Sequence, residues 1–168
     1  MTTYAIEKFE LTIPANLGGS ISFTLKSIQG YESLKAERRK IYIVKDEEEF
    51  LYVGEANTSI KTRFQRSFTS YRFFIKNKKA RGGYKGYKWI GHYAEKKNKS
   101  LIIYIAVFEK RHDNDREFIE AVEGEFVFLI RQTKGYWPEF QNEIHFNNRE
   151  GAKETAEEIF KKLKAASA

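Results

Sequence analysis

Two short apolar runs in the middle of the chain predict a β-hairpin followed by a helix. Residues 41–44 and 50–53 are rich in β-branched and aromatic residues, and a polar connection separates them. Gly54 ends the second run, and Asn57 or Thr58 can cap the helix that follows. Four apolar residues then recur at a helical period: Ile60, Phe64, Phe68 and Tyr71.

Similar patterns predict elements on both sides of this hairpin. Apolar and polar residues alternate at 9–13 and 21–25, with turn-forming residues between them, which predicts an N-terminal hairpin within residues 1–30. Residues 101–108 form a continuous apolar run of strand length. Helices are predicted at about 86–96 and 151–166, with a loop from 135 to 146 leading toward a short strand.

A third helix is predicted after the capping residues Asp113, Asn114 and Asp115, and it presents one carboxylate to its apolar side. Its core-facing arc consists of Phe118, Val122, Phe126 and Leu129. In projection Glu125 falls inside that arc, whereas Glu123 lies at its far margin and Glu117 and Glu120 point away. A carboxylate turned toward apolar surface is costly unless it is paired or bound to a metal. Glu125 is therefore a candidate functional residue, the alternative being a structural ion pair with a nearby Arg or Lys.

The composition indicates a single domain of 168 residues, since 41% hydrophobic and 15% aromatic content is enough for a core. There are no cysteines, so disulfides and thiolate metal sites are excluded. The first residues lack a basic segment followed by an apolar stretch, and no apolar run approaches membrane-spanning length. We therefore expect a cytoplasmic protein with no membrane contact.

The net charge of +7 favours a polyanionic partner, and basic residues are concentrated in the segment 72–89. Basic residues alternate there with Tyr84, Tyr87 and Trp89, which suits contacts to phosphates alongside packing on bases or sugars. The alternative is a solubilising loop whose aromatic residues face the core. The candidate DNA-binding residues are Arg66, Lys76, Arg81, Lys85, Lys88 and Asn142.

The hairpin and the helices after it resemble the GIY-YIG nuclease family over about residues 40 to 146. Tyr42 and Tyr52 occupy the places of the two motif tyrosines, and Arg63 that of the arginine on the next helix. Ala121 and Glu125, followed by Pro138 and Asn142, resemble the family's later Ala-x-x-x-Glu segment with its downstream Pro and Asn.

Two positions depart from the family pattern. Lys40 replaces the first glycine, and Ser67 stands where the family usually has His or Tyr. The second departure removes one candidate proton-handling side chain, and Tyr71 or water is left to take over its role.

The resemblance implies an α/β (α+β) fold with a small central antiparallel sheet flanked by helices. The N-terminal hairpin and the C-terminal helix would be additions to this core.

The resemblance also implies a metal-dependent endonuclease acting on double-stranded DNA. Glu125 would hold one Mg²⁺ or Mn²⁺ ion per active site, and Arg63 would neutralise charge on the phosphate. Tyr42 would be the general base and Tyr52 its positioning partner. An unperturbed tyrosine has a pKa near 10, so this base needs a cation nearby, such as the metal, Arg63, Lys40 or Lys45.

Three functions remain open at this point. A restriction-type endonuclease, acting as a homodimer to cut both strands, fits a small chain with its own N-terminal additions. A structure-selective repair or recombination nuclease is the second. The third is a nucleic-acid-binding module that has kept the fold and lost activity, which Ser67 suggests.

Overall fold

Five antiparallel strands form one sheet in the part of the chain that the structure describes. The structure is a computed structural model that describes residues 2–13, 23–83, 87–94 and 100–167, without the side chains of 83, 92–94 and 167. The strands lie in the order β2-β1-β5-β3-β4. Their bounds are β1 Tyr4–Thr12, β2 Thr24–Gln29, β3 Lys40–Asp46, β4 Glu49–Ala56 and β5 Ser100–Phe108.

Helices cover both faces of the sheet, so the described part of the chain has three layers. The helices are α1 Ile60–Asn77, α2 Lys88–Ala94, α3 Arg116–Lys134 and α4 Ala152–Ser167. One core lies between the sheet and the α1 and α2 helices, and it is built around side chains such as Phe64 and Trp89. The other lies between the sheet and α3 and α4, around Phe126 and Ile159. The predicted α+β class with an antiparallel sheet flanked by helices is confirmed.

The N-terminal hairpin, predicted as an addition to the core, supplies two strands of the same sheet. β1 pairs with β5 along its whole length, from Tyr4 opposite Phe108 to Thr12 opposite Ser100. Only β2 lies outside it, as an edge strand. The predicted turn at residues 14–20 lies outside the described residues. Because β5 is the partner of both β1 and β3, the hairpin extends the same sheet that carries the middle hairpin.

Two buried charged residues, Glu7 on β1 and Lys40 on β3, bond to the segments that lead into β3 and α1. The Glu7 carboxylate accepts backbone N–H groups from Glu32 at 2.8 Å and from Ser33 at 3.1 Å. Lys40 donates its Nζ to the carbonyl oxygen of Thr58 at 2.6 Å, just before the helix. Burial lowers the pKa of Lys40 to about 8, and the Glu7 charge opposes that effect.

The helix starts differ slightly from those predicted. Ser59 caps α1 by accepting a hydrogen bond from the Thr62 N–H at 3.2 Å, one residue after the predicted caps. Asp115, one of the three predicted caps, accepts from the Phe118 N–H at 3.2 Å and begins α3. None of the described helices is long and apolar enough to cross a membrane.

The loop after α3 pairs with the outer edge of β4 and contains no strand, so the short strand predicted there is wrong. The backbone N–H of Phe140 donates to the Leu51 carbonyl at 2.8 Å. The Gln141 side chain then takes the place of a neighbouring strand, because its Oε1 accepts the Val53 N–H and its Nε2 donates to the Val53 carbonyl, both at 3.1 Å. A side-chain amide thus satisfies backbone groups that an edge strand otherwise exposes.

Replacing Gln141 by Ala should loosen this edge. We expect a loss of about 1 to 3 kcal/mol in the free energy of unfolding, since two hydrogen bonds of about 0.5–1.5 kcal/mol each disappear. Amide hydrogen exchange at Val53 should accelerate at the same time. Gln132→Ala, on the exposed side of α3, is the matched control and should change neither quantity. Unchanged exchange at Val53 in the Gln141 variant would contradict the pairing.

Candidate active site

Three of the residues predicted from the motif meet where β3, β4 and α1 come together. Tyr42 is 1% exposed, and its Oη accepts a hydrogen bond from Arg63 Nε at 3.2 Å. The centroids of the Tyr42 and Tyr52 rings are 5.9 Å apart. The structure therefore places a phenol, a second phenol and a guanidinium in one group, with the arginine charge held against the Tyr42 oxygen.

Gly54 makes room for this group. A Cβ at Gly54 would lie 2.6 Å from the Tyr42 Oη and 2.7 Å from Tyr52 Cε1, closer than real side chains approach. The requirement for glycine here is steric, because the two tyrosine rings occupy the space in front of the backbone. This gives a physical reason for a glycine inside β4, which continues to Ala56 beyond the predicted strand end at Gly54.

Glu123 on α3 is the carboxylate that the structure brings to this site. Its side chain is 8% exposed, and it accepts a hydrogen bond from the backbone N–H of Glu55 on β4. Burial, together with the nearby charges of Glu55 and Glu120, raises the pKa of Glu123 to about 8, and the Arg63 charge opposes the rise. Arg63 thus acts electrostatically on both Tyr42 and Glu123.

The two neighbouring carboxylates that raise the Glu123 pKa are themselves held by arginines. Arg39 forms an ion pair with Glu55 at 3.0 Å, and Arg116 forms one with Glu120 at 2.8 Å. Both pairs lie on the side of the sheet that α3 covers. They compensate part of the negative charge around Glu123.

Glu125 does not lie in this site, so the helical projection that selected it was wrong. Its side chain is partly exposed and lines a separate surface pocket with Phe128, Phe146 and Lys153. The projection missed three residues that are also buried, namely Ile119, Val127 and Ile130. With them included, the buried arc of α3 shifts toward Glu123 and away from Glu125.

The loop segment after α3 explains part of this shift. A Cβ at Gly124 would lie 2.3 Å from the backbone oxygen of His145, so the loop crosses the helix at that glycine. α3 is therefore covered from more than one direction, by the sheet, by α4 and by this loop. The single apolar stripe inferred from the sequence is therefore narrower than the buried surface of α3.

Ser67 and Tyr71 are both buried on α1. Ser67 is 1% exposed and donates its hydroxyl to the Arg63 carbonyl at 3.2 Å, one turn back along α1. The Tyr71 ring packs between helices, with its centroid 6.2 Å from that of Tyr87 and its edge against Gly91. Neither cationic alternative reaches the Tyr42 hydroxyl: Lys40 is bonded to backbone carbonyls, and Lys45 lies over the Phe50 ring at 5.0 Å.

The predicted DNA-binding residues are distributed over two places. Arg66 and Arg81 are exposed and line a groove along α1 together with Arg63. Lys88 on α2 donates to Asn142 Oδ1 at 3.2 Å, which connects that helix to the loop beside β4. Lys76 is exposed near the end of α1, and Lys85 lies outside the described residues.

Within the described ranges, no three His, Cys, Asp or Glu side chains are grouped as ligands for a metal ion. Glu123 is a buried carboxylate on which the Arg63 charge acts, and the charges of Glu55 and Glu120 also reach it. Mg²⁺ commonly binds through one or two carboxylates and completes its shell with water and substrate phosphates. A buried carboxylate close enough to an arginine to sense its charge is compatible with this mode of binding.

The chain was compared with protein-family models, with curated proteins and with solved structures, and no significant match was found in any of the three comparisons.

The raised pKa of Glu123 predicts a specific pH dependence of stability. Between pH 4.5 and about 8 the folded protein holds a proton on Glu123 that the unfolded chain has released. The contribution of this bound proton to the free energy of unfolding is fully present below this pH window. It is lost as the pH rises through the window. Glu123→Gln cannot lose a proton, so urea unfolding should show this variant gaining stability relative to the wild type as the pH rises.

Glu125→Gln is the control for this experiment and should follow the wild type across the same pH values. Other titrating groups contribute equally to all three proteins and cancel in the differences. Parallel profiles for the wild type and Glu123→Gln would show that the Glu123 carboxyl titrates normally.

Proposed function

We propose that this protein is a metal-dependent endonuclease that hydrolyses phosphodiester bonds in double-stranded DNA, with a site of the GIY-YIG kind. The observation that carries the proposal is that Arg63 is hydrogen-bonded to Tyr42 in front of Gly54 and also acts electrostatically on the buried Glu123. These residues come from β3, α1 and α3, which lie far apart in the sequence. A proton acceptor, a fixed cation and a buried carboxylate in one place are the groups that phosphodiester hydrolysis needs.

In this proposal Tyr42 accepts the proton of the attacking water. Its hydroxyl oxygen already accepts the Arg63 N–H at 3.2 Å, so positive charge is in place where the phenolate forms. Tyr52, whose ring lies beside that of Tyr42, fixes the orientation of the base. Burial of Tyr42 between Phe64 and the sheet prevents the ring from turning away.

Arg63 serves the phosphate as well as the base. A planar guanidinium presents several N–H donors, so one can hold Tyr42 while others face the nonbridging oxygens. Its charge then stabilises the negative charge that develops on the phosphate in the transition state. The Ser59 cap and the Ser67 bond to the Arg63 carbonyl keep this part of α1 regular and the arginine in position.

Glu123 is the residue that would hold one Mg²⁺ or Mn²⁺ ion. When bound, such an ion acts as a Lewis acid on the scissile phosphate and stabilises the departing oxygen. The Glu55 N–H fixes the carboxylate, and Arg63 favours its charged form. Around the site, Arg66, Arg81, Lys76, Lys88 and Asn142 are available for the DNA.

A second candidate function is a nucleic-acid-binding module that does not cleave. The observation in its favour is Ser67, whose buried hydroxyl is bonded to the Arg63 carbonyl and so leaves the family's His or Tyr position without a proton-handling group. A plasmid assay with Mg²⁺ separates the possibilities. Discrete fragments favour a restriction enzyme acting as a dimer, cleavage of branched or flapped DNA alone favours a repair nuclease, and binding without nicking favours the module.

Replacing Glu123 by Gln should separate binding from cleavage. The change keeps the shape of the side chain but removes the charge that attracts the cation, so Mg²⁺-dependent cleavage should disappear. DNA binding should be retained or strengthened, because a carboxylate that repels phosphate is also removed. Cleavage, DNA affinity and melting temperature are measured on one preparation of the folded variant.

Glu125→Gln is the matched control and should cleave at the wild-type rate. If Glu123 is only a structural partner of Arg63, Glu123→Gln will lower the melting temperature and leave the activity per folded molecule largely intact. Loss of cleavage in Glu125→Gln with normal cleavage in Glu123→Gln would overturn the assignment of the metal ligand.

Replacing Tyr42 by Phe should lower the cleavage rate by roughly 10² to 10⁴, the usual range for loss of a general acid or base. The ring and its packing against Phe64 remain, so the melting temperature should change little. Single-turnover rates at saturating DNA give the measurement. A wild-type rate in this variant would assign the proton transfer to another group, with Tyr52 as the next to be tested.

A further inference from the structure

An open groove runs along one side of α1 and begins at the candidate active site. It has a volume of about 580 Å³. Six of its lining residues lie on successive turns of the helix, and Arg81 from the following segment forms the other wall. The lining residues are Thr62, Arg63, Gln65, Arg66, Thr69, Ser70 and Arg81.

The lining has the chemistry of a phosphate-binding surface. It contains three arginines, three hydroxyls and an amide, and none of the seven side chains is acidic or aromatic. The whole sequence of α1 contains five basic residues and no Asp or Glu, so the helix itself adds only positive charge beside the groove. Arginine, hydroxyl and amide donors hold phosphates and sugars and carry no information about base sequence.

Apart from Arg63, which flanks the buried face and bonds Tyr42, the α1 side chains that line the groove lie opposite the face that packs on the sheet. The buried residues of α1 are Ile60, Phe64, Ser67, Phe68 and Tyr71. Positions 62, 63, 65, 66, 69 and 70 form the complementary polar face. Arg81 is held near this face, with its guanidinium carbon 6.0 Å from the centroid of the Phe73 ring.

The length of the groove matches a short stretch of nucleic acid. From Thr62 to Ser70 the helix rises about 12 Å at 1.5 Å per residue. One DNA strand advances about 3.4 Å along the helix axis per nucleotide, so the groove spans roughly three nucleotides. Arg63 lies near one end of this span, at the candidate site, and Arg66 lies one turn further on.

We propose that this groove binds the sugar–phosphate backbone of one DNA strand next to the scissile phosphate, with Arg66 and Arg81 each contacting one phosphate. This inference rests on the proposed nuclease function, because it takes Arg63 to be the contact at the cleaved bond. The groove supplies affinity on any DNA sequence, and selectivity for a site or a structure comes from other parts of the protein.

The test is the salt dependence of DNA binding by an Arg66→Gln/Arg81→Gln double variant. Binding to a short labelled duplex of mixed sequence is measured in EDTA, so that cleavage plays no part. Each lost phosphate contact should make the slope of log K against log salt shallower by about 0.9, and two contacts by about 1.8. Between 50 and 200 mM salt the wild type should therefore lose about twelvefold more affinity than the variant.

Arg131→Gln/Lys153→Gln is the matched control, because it removes the same charge from exposed positions on α3 and α4, on the other face of the sheet. It should keep the wild-type slope, and circular dichroism should show both double variants folded. An unchanged slope in the Arg66/Arg81 variant, or an equal change in the control, would contradict DNA binding by the groove. The nuclease proposal would stand in either case. Failure of the wild type to bind DNA and to cleave it with Mg²⁺ overturns both.

Discussion

The candidate site depends on the need to pair the backbone N–H and C=O groups at the outer edge of β4. An edge strand exposes N–H and C=O groups that must be paired or hydrated, and here side chains from later in the chain pair with them. Gln141 pairs with both backbone groups of Val53, and the Glu123 carboxylate accepts the N–H of Glu55 two residues further on. The same backbone need therefore places a buried carboxylate beside the residues that β3 and α1 contribute.

The electrostatic consequences follow from that placement. A carboxylate buried against a sheet edge loses hydration, and this raises the Glu123 pKa more than the Arg63 charge lowers it. The arginine charge acts on both the buried Tyr42 phenol and this buried carboxylate. A cation that replaces the proton on Glu123, or a phosphate that approaches Arg63, would relieve the unfavourable part of this arrangement.

The parts of the structure that sequence analysis predicted correctly are those set by local pattern. The hairpin, the start of α1 and the meeting of Tyr42, Tyr52 and Arg63 all lie within a short stretch where strand alternation and helical period fix the direction of each side chain. Glu123 was missed because its burial depends on contacts distant in sequence: the sheet, α4 and the loop that crosses Gly124. Burial of Ile119, Val127 and Ile130 could have signalled a wider arc, since all three are apolar.

The central claim is that Glu123, and not Glu125, supplies the metal-binding carboxylate of a site shared with Tyr42 and Arg63. The most direct measurement is binding of Mn²⁺ to the protein with a hydrolysis-resistant DNA duplex, followed by electron paramagnetic resonance of the free ion. The account predicts one bound ion per chain in the wild type and in Glu125→Gln, and loss of that ion in Glu123→Gln. Wild-type Mn²⁺ binding in Glu123→Gln, with loss in Glu125→Gln, would contradict it.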